Sequence, residues 1–293
     1  MFVETNTIPV LRRYFNSSLE SHFSVSECKL MFDSLIQKRL NWTKTDLMLN
    51  SNSRLSESDL LYLRNATKRL LSHEPFQYII GETLFHNLLL NCDPRALIPR
   101  PETEELVQWI LEEQASISSI LEIGTGSGCI ALACKNELPT CKVTAIDVSP
   151  GALKLAGENA EKLSLEIELI EFDFLSKDMP FIENGRTYDC IVSNPPYIPI
   201  SELGNIAANV VDFEPSIALF VPEDNPLLFY KEIVDKSIYL LSNEGFLFFE
   251  VHELYVSEVL SLLEKKGFIN IELRKDLQGK PRMVKAKKPT FIS

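Results

Sequence analysis

Apolar residues recur at helical spacing through the first quarter of the chain. Leu60, Leu63, Leu70 and Leu71 form one stripe across residues 58–71, with Ala66 and Thr67 between them. A 3.6-residue repeat puts such positions on one helix face. Leu30, Met31, Leu35 and Ile36 repeat the pattern across residues 28–40. Ser56 followed by Asp59 predicts a helix start, because each side chain can satisfy a backbone N–H of the opening turn. Residues 1–75 therefore read as a small helical domain. Residues 76–98 change rhythm: Phe76–Gly81 and Leu88–Cys92 are short apolar runs around a Gly-containing break, which predicts a hairpin connector. Pro99 and Pro101 cannot sit in a helix interior, whereas Thr103 and the apolar run after it can start a helix.

From residue 119 the pattern becomes strand, helix, strand. Runs at 119–123, 142–147, 167–172, 188–193 and 246–250 predict strands. Helices are predicted at about 129–138, 150–163 and 226–241, and in a segment ending at Lys266 before Gly267. Further strands at 269–273 and 283–286 close the chain. Such alternation predicts an α/β fold, a parallel-rich sheet with helices on both faces. Residues 99–293 are expected to form this larger domain.

Composition adds a charge argument. The 293 residues carry 29 Lys and Arg against 41 Asp and Glu, a net charge of −12. Residues 1–100 hold 12 basic and 10 acidic side chains, while residues 101–293 hold 17 and 31, so the acidity belongs to the α/β part. A protein that grips duplex DNA through many phosphates is normally basic, so a direct nucleic-acid grip is not expected. The basic cluster Lys280, Arg282, Lys285, Lys287 and Lys288 reads as a solvated edge strand and tail. The N-terminal segment lacks the basic and apolar regions of a signal peptide. No run approaches the length of a membrane span. Six cysteines without a Cys-x-x-Cys pair read as free, mostly buried thiols of a cytoplasmic protein. His22, His73 and His86 have no partners at metal-ligand spacing, and no metal is expected.

Two constellations carry chemistry. Gly124-Thr125-Gly126-Ser127-Gly128 follows the first predicted strand of the α/β part and opens its helix, where glycines allow a tight turn and close approach of a ligand. Asp147, at the end of the next strand, can accept hydrogen bonds from two ribose hydroxyls. The Gly-x-Gly-x-Gly spacing departs from the dinucleotide fingerprint. Glu122 beside the loop would repel a pyrophosphate but suit a sulfonium ligand that also carries an ammonium group. Asn194-Pro195-Pro196-Tyr197 follows the fourth of these strands. The Asn194 side-chain oxygen and the Pro195 carbonyl are two acceptors that match the two N–H groups of a planar NH2. Tyr197 can stack on a flat conjugated group. Such a nitrogen is a poor nucleophile, and holding it beside an activated methyl group supplies proximity and orientation.

Asn194–Tyr197 is similar to the motif of S-adenosylmethionine-dependent amino-methyltransferases, a class that includes DNA adenine and protein glutamine enzymes. Glu74-Pro-Phe-Gln-Tyr-Ile-Ile-Gly81, Ile98-Pro-Arg-Pro-Glu-Thr-Glu104, Leu121-Glu-Ile-Gly-Thr-Gly-Ser-Gly128 and Asp276-Leu-Gln-Gly-Lys-Pro-Arg282 resemble segments of the HemK/PrmC family, in order and spacing over nearly the whole chain. The resemblance implies a Rossmann-like class I methyltransferase domain with a small N-terminal helical domain. It implies S-adenosyl-L-methionine as cofactor and the Gly-Gly-Gln glutamine of peptide chain release factors as substrate, hence a role in translation termination. Gly124, Thr125, Gly126, Ser127 and Gly128 would then hold the methionine part, Asp147 the ribose, and Phe174 after Asp173 the adenine. Asn194 would lie beside the cofactor as well. Asn194, Pro195, Pro196 and Tyr197 would receive the glutamine amide.

Phe213-Glu-Pro215 also matches a family segment. Glu214 reads as a solvated loop carboxylate, and Arg100 and Glu102 as residues that order the connector. One stretch departs from the family pattern: His252 and Tyr255 stand where Gly and Gln are usual, and His252 is not read as a catalytic base. Two other readings remain at this point. An adenine-specific DNA or RNA amino-methyltransferase would use the same motif, and a non-enzymatic cofactor-binding scaffold would use only the loop and Asp147.

Overall fold

The computed structural model describes residues 5–177 and 185–290. The expectation for the N-terminal segment falls partly on residues 1–4, outside that range. Contacts divide the chain into two compact units, one of residues 1–82 with 207–213 and one of residues 83–206 with 214–293.

The first unit is helical: α1 (Ile8–Leu19), α2 (Val25–Leu40), α3 (Lys44–Leu49), α4 (Glu57–Leu71) and α5 (Phe76–Ile80). Ile8, Leu11, Phe15 and Leu19 recur at helical spacing in α1 and are buried with Phe32, Leu35 and Ile36 of α2 and Leu63 and Leu70 of α4. Reciprocal hydrogen bonds from Ser24 and Glu27, Thr43 and Asp46, and Ser56 and Asp59 open α2, α3 and α4. Two stripe positions differ from expectation: Leu30 is 66% and Leu71 40% exposed. At about 100° of turn per residue, Leu71 lies at the margin of the buried α4 face, whereas Leu30 falls on the side of α2 opposite its buried residues Cys28, Met31, Phe32, Leu35 and Ile36.

The hairpin is present but shifted. Phe76–Ile80 is a helical turn capped by Gly81 at φ 77°, not a strand. The pairing strands are β1 (Glu82–Phe85) and β2 (Leu88–Asn91). His86 and Asn87, both at positive φ, form the two-residue turn between them; such turns need that backbone hand to match strand twist.

The second unit is built on a seven-stranded sheet of order β10-β11-β9-β6-β3-β4-β5. Its parallel strands are β3 (Ser119–Ile123), β4 (Lys142–Asp147), β5 (Glu168–Glu171), β6 (Tyr188–Ser193) and β9 (Leu241–Glu250). The antiparallel strands β10 (Ile269–Lys275) and β11 (Pro281–Lys287) finish one side. Short strands β7 (Ile198–Pro199) and β8 (Phe220–Val221) pair separately. Helices α6 (Pro101–Glu112) and α7 (Cys129–Glu137) bury one apolar layer against the sheet. Helices α9 (Leu228–Leu240) and α10 (Val256–Lys265) bury the other. Helix α8 (Pro150–Leu163) packs on β4, β5 and β2.

Strand β9 begins at Leu241, five residues before its expected start. Asn243-Glu-Gly245, between the predicted helix and the predicted strand, is an irregular strand end: Glu244 has φ 65°, and a Cβ at Gly245 would stand 3.0 Å from the Ser242 carbonyl oxygen. The basic C-terminal run is solvated only at its start, where Lys280 is exposed. Strand β11 lies between β10 and β9. Lys285 is buried and pairs with Glu113 at 2.8 Å and Glu272 at 2.7 Å, and Lys288 Nζ donates to the Leu241 carbonyl at 2.6 Å.

Candidate active site

Chain order along the sheet reverses between β3 and β6, the place where α/β sheets open a crevice at strand C-termini. The loops after β3, β4 and β6 meet there around a cavity of ≈ 330 Å³. Gly124, Thr125, Gly126, Ser127, Asp147, Phe174, Asn194, Pro195 and Pro196 all line it. Gly128 and Tyr197 do not.

The glycine loop is shaped by backbone hand. Gly124 and Gly126 have φ 75° and 56°, and a Cβ at Gly124 would meet nothing within 4 Å, which leaves a cradle for a ligand. Gly128 has a different part: a Cβ there would stand 3.1 Å from Ala156 and 3.2 Å from Leu132, so its smallness lets α7 pack against α8. Below the loop, Glu122 Oε2 accepts from the Thr125 hydroxyl at 2.6 Å and from the Ala131 N–H at 3.0 Å. Burial pushes the Glu122 carboxyl up to about 8. At neutral pH it is therefore mostly a neutral acid that braces the loop, and the negative charge expected beside the ligand is muted.

This gives a pH prediction. A carboxyl whose folded pKa exceeds its unfolded value favours the folded state most below the unfolded pKa, and loses that contribution as pH rises through the folded one. Glu122 moves from 4.5 to about 8, so its share of stability declines across that window. Glu122→Gln keeps an acceptor for Thr125 and Ala131. It is expected to flatten the fall of Tm between pH 5 and 8. An unchanged slope in differential scanning calorimetry would remove this account of Glu122.

Asp147 is oriented by the backbone. Its Oδ2 accepts from the Gly126 N–H at 2.8 Å and its Oδ1 from the Ser149 N–H at 2.9 Å. Each carboxylate oxygen keeps further acceptor capacity, and burial raises the Asp147 pKa. Beyond it, Phe172 and Phe174 meet edge to face at 6.3 Å and line the cavity, with the Lys236 ammonium 5.0 Å from the Phe174 ring. A glycine cradle, an oriented carboxylate and an aromatic wall in one cavity fit a ligand with a zwitterionic chain, a ribose and a flat base. The residues present therefore fit S-adenosylmethionine.

After β6 the motif turns into the same cavity. Asn194 Nδ2 donates to Thr103 Oγ1 at 3.3 Å, which leaves Oδ1 as its acceptor. Tyr197 packs behind instead of facing the cavity. Its hydroxyl donates to Glu250 Oε1 at 3.2 Å, and its ring meets His252 edge-on at 5.5 Å.

Comparison with known proteins identifies the chain. Residues 11–81 match the PrmC N-terminal domain family and residues 102–212 the Methyltransferase small domain family. The release factor glutamine methyltransferase of Flavobacterium psychrophilum is 40% identical over 94% of this chain and 96% of its own length. The chain belongs to the release factor glutamine methyltransferase family. The Bacteroides thetaiotaomicron member is 37% identical over 93% of this chain and 97% of its own. A methyltransferase structure from Pyrococcus furiosus shares the fold at TM-score 0.52 and 19% identity, over 77% of this chain and 99% of that one.

Other features of this methyltransferase had no clear sequence signal. Glu214 is buried, not solvated: it accepts from the Ile98 N–H at 3.0 Å and from Arg100 Nη2 at 2.6 Å. That pair ties the loop after residue 213 to the Pro-Arg-Pro segment. Glu102 accepts from Gln278 Nε2 at 3.3 Å. His252 receives the Leu254 N–H on Nδ1 at 3.2 Å and faces Glu202 through Nε2 at 3.4 Å, so both ring nitrogens are occupied. Ile217, Phe229 and Ile233 also line the cavity; they come from distant segments and only folding joins them. Among the described residues no helix is long and apolar enough to cross a membrane.

Proposed function

We propose that this chain transfers the methyl group of S-adenosylmethionine to the side-chain amide nitrogen, N5, of the glutamine in the Gly-Gly-Gln motif of peptide chain release factors. Bound S-adenosylmethionine supplies an electrophilic methyl on its sulfonium sulfur. The protein's part is orientation. Asn194 Oδ1 and the Pro195 carbonyl accept the two amide N–H groups and hold the nitrogen in the cavity; the proton lost on methylation passes to water. Gly124–Ser127 cradle the methionine part, Asp147 binds the ribose and Phe174 bounds the adenine. Gly128 supports that loop through helix packing, and Tyr197 supports the slot from behind. One observation carries the reading: Asn194, turned by Thr103 so that its oxygen is free, lines the same cavity as the glycine loop and Asp147.

The helical residues 1–75 recognise the body of the release factor, residues 76–98 connect, and residues 99–293 catalyse. The site works in the cytoplasm on a protein, without a nucleic-acid grip, in keeping with the acidic balance of residues 101–293. Mass spectrometry of release factors from cells with and without this protein tests the substrate: the Gly-Gly-Gln glutamine is expected to lose one methyl in its absence. An unchanged methyl, or purified enzyme that labels only DNA, overturns the reading. In the same assay whole factor should far outperform a Gly-Gly-Gln peptide in kcat/KM; equal values remove the role of residues 1–75.

A further inference from the structure

Behind the acceptor slot runs a chain of hydrogen bonds that amide binding does not itself use. Glu250 ends β9 and is 2% exposed. Its Oε2 accepts from the Thr103 hydroxyl at 2.7 Å, and its Oε1 from the Tyr197 hydroxyl at 3.2 Å. Thr103, in the first turn of α6 and 2% exposed, receives Asn194 Nδ2 on the same hydroxyl oxygen at 3.3 Å. The Tyr230 hydroxyl donates to the Glu250 backbone carbonyl at 3.1 Å and fixes the strand end. One carboxylate thus reaches both ends of the Asn-Pro-Pro-Tyr motif.

The polarity of this chain has a consequence. A hydroxyl has one hydrogen, and although burial raises the Glu250 pKa, its carboxyl accepts on both oxygens, from Thr103 and from Tyr197. Facing Glu250, Thr103 therefore gives its hydrogen to Oε2 and offers Asn194 only lone pairs. Asn194 must answer with its NH2, which turns its oxygen the other way. The flipped amide would set oxygen against oxygen inside a buried site, a costly arrangement.

We propose that Glu250 is a positioning residue: through Thr103 it selects the amide orientation of Asn194, and through Tyr197 it holds the rest of the motif against the end of β9. It does not line the cavity. The inference rests on Asn194 being the amide acceptor. In Glu250→Gln the volume is kept, but the new NH2 can donate to Thr103. The Thr103 hydrogen is then released toward Asn194 Oδ1, the amide flips, and a donor meets the donor of the substrate.

The test uses full-length Glu250→Gln, Thr103→Val and Thr103→Ser, each alone and combined with Asn194→Ala. Readouts are kcat on whole release factor at saturating substrates, S-adenosylmethionine Kd by calorimetry, and Tm. Glu250→Gln and Thr103→Val are expected to lower kcat about fivefold, the worth of one hydrogen bond, with Kd unchanged. Thr103→Ser, which keeps the hydroxyl, should restore kcat to near the parent value. In the Asn194→Ala background Thr103→Val should not lower the residual rate further, nor should Glu250→Gln, whose remaining carbonyl oxygen still accepts from Tyr197. Equal losses in both backgrounds overturn the positioning role while the acceptor reading stands. An Asn194→Ala enzyme with parental kcat overturns both. If Glu250→Gln does not fold, the comparison of Thr103→Val with Thr103→Ser decides, and equal rates for those two overturn the proposal.

Discussion

Replacing Asn194 by alanine is expected to lower kcat for release-factor methylation at least about tenfold, ~1.4 kcal/mol of barrier, with S-adenosylmethionine affinity retained. An amide nitrogen is a weak nucleophile, so most of the rate comes from holding it at the methyl in the right orientation. In the proposed site Asn194 Oδ1 is one of two acceptors that do so, and its NH2 meets Thr103 Oγ1 at 3.3 Å. Alanine leaves the Pro195 carbonyl alone, and a single acceptor lets the NH2 rotate. The glycine loop and Asp147 are untouched, so cofactor binding should survive. Methyl incorporation into purified release factor, with calorimetry for the cofactor, checks both parts. Parental turnover in this variant would sink the catalytic assignment.

Asp147→Ala should act on the other half of the cavity. Hydrogen bonds to a charged acceptor are worth about 1.5–3 kcal/mol, so affinity for S-adenosylmethionine should fall about ten- to a hundredfold. The carboxylate is aimed by the Gly126 and Ser149 N–H groups at 2.8 and 2.9 Å, and its loss also frees the Gly126 end of the glycine loop. The defect should appear as a raised cofactor KM, with kcat at saturating cofactor much less affected. Calorimetry that finds unchanged affinity would overturn the ribose role.

Both residues were legible in the sequence. Asp147 and the glycine loop are local signals: a strand, a turn whose glycines adopt positive φ, a helix, and a carboxylate at the next strand end. Asn194–Tyr197 is also contiguous, and its placement after β6 follows from periodicity alone. The hydroxyl partner of Tyr197 was not legible, because Glu250 lies 53 residues away. Glu214 changed for the same reason: its partners Ile98 and Arg100 are 116 and 114 residues distant. The hairpin was displaced because a turn of His86 and Asn87, without glycine, hides among ordinary residues, while Gly81 marks a helix end.

The sequence by itself determined the α/β order of elements, the glycine loop after β3, the Asn-Pro-Pro-Tyr motif after β6 and the family resemblance. These depend on neighbours in the chain, where spacing and backbone hand act directly. Tertiary structure decided which carboxylates keep a charge, which way the Asn194 amide points and where Tyr197 rests. Burial and hydrogen-bond partners set those properties, and both come from segments that only the folded sheet brings together.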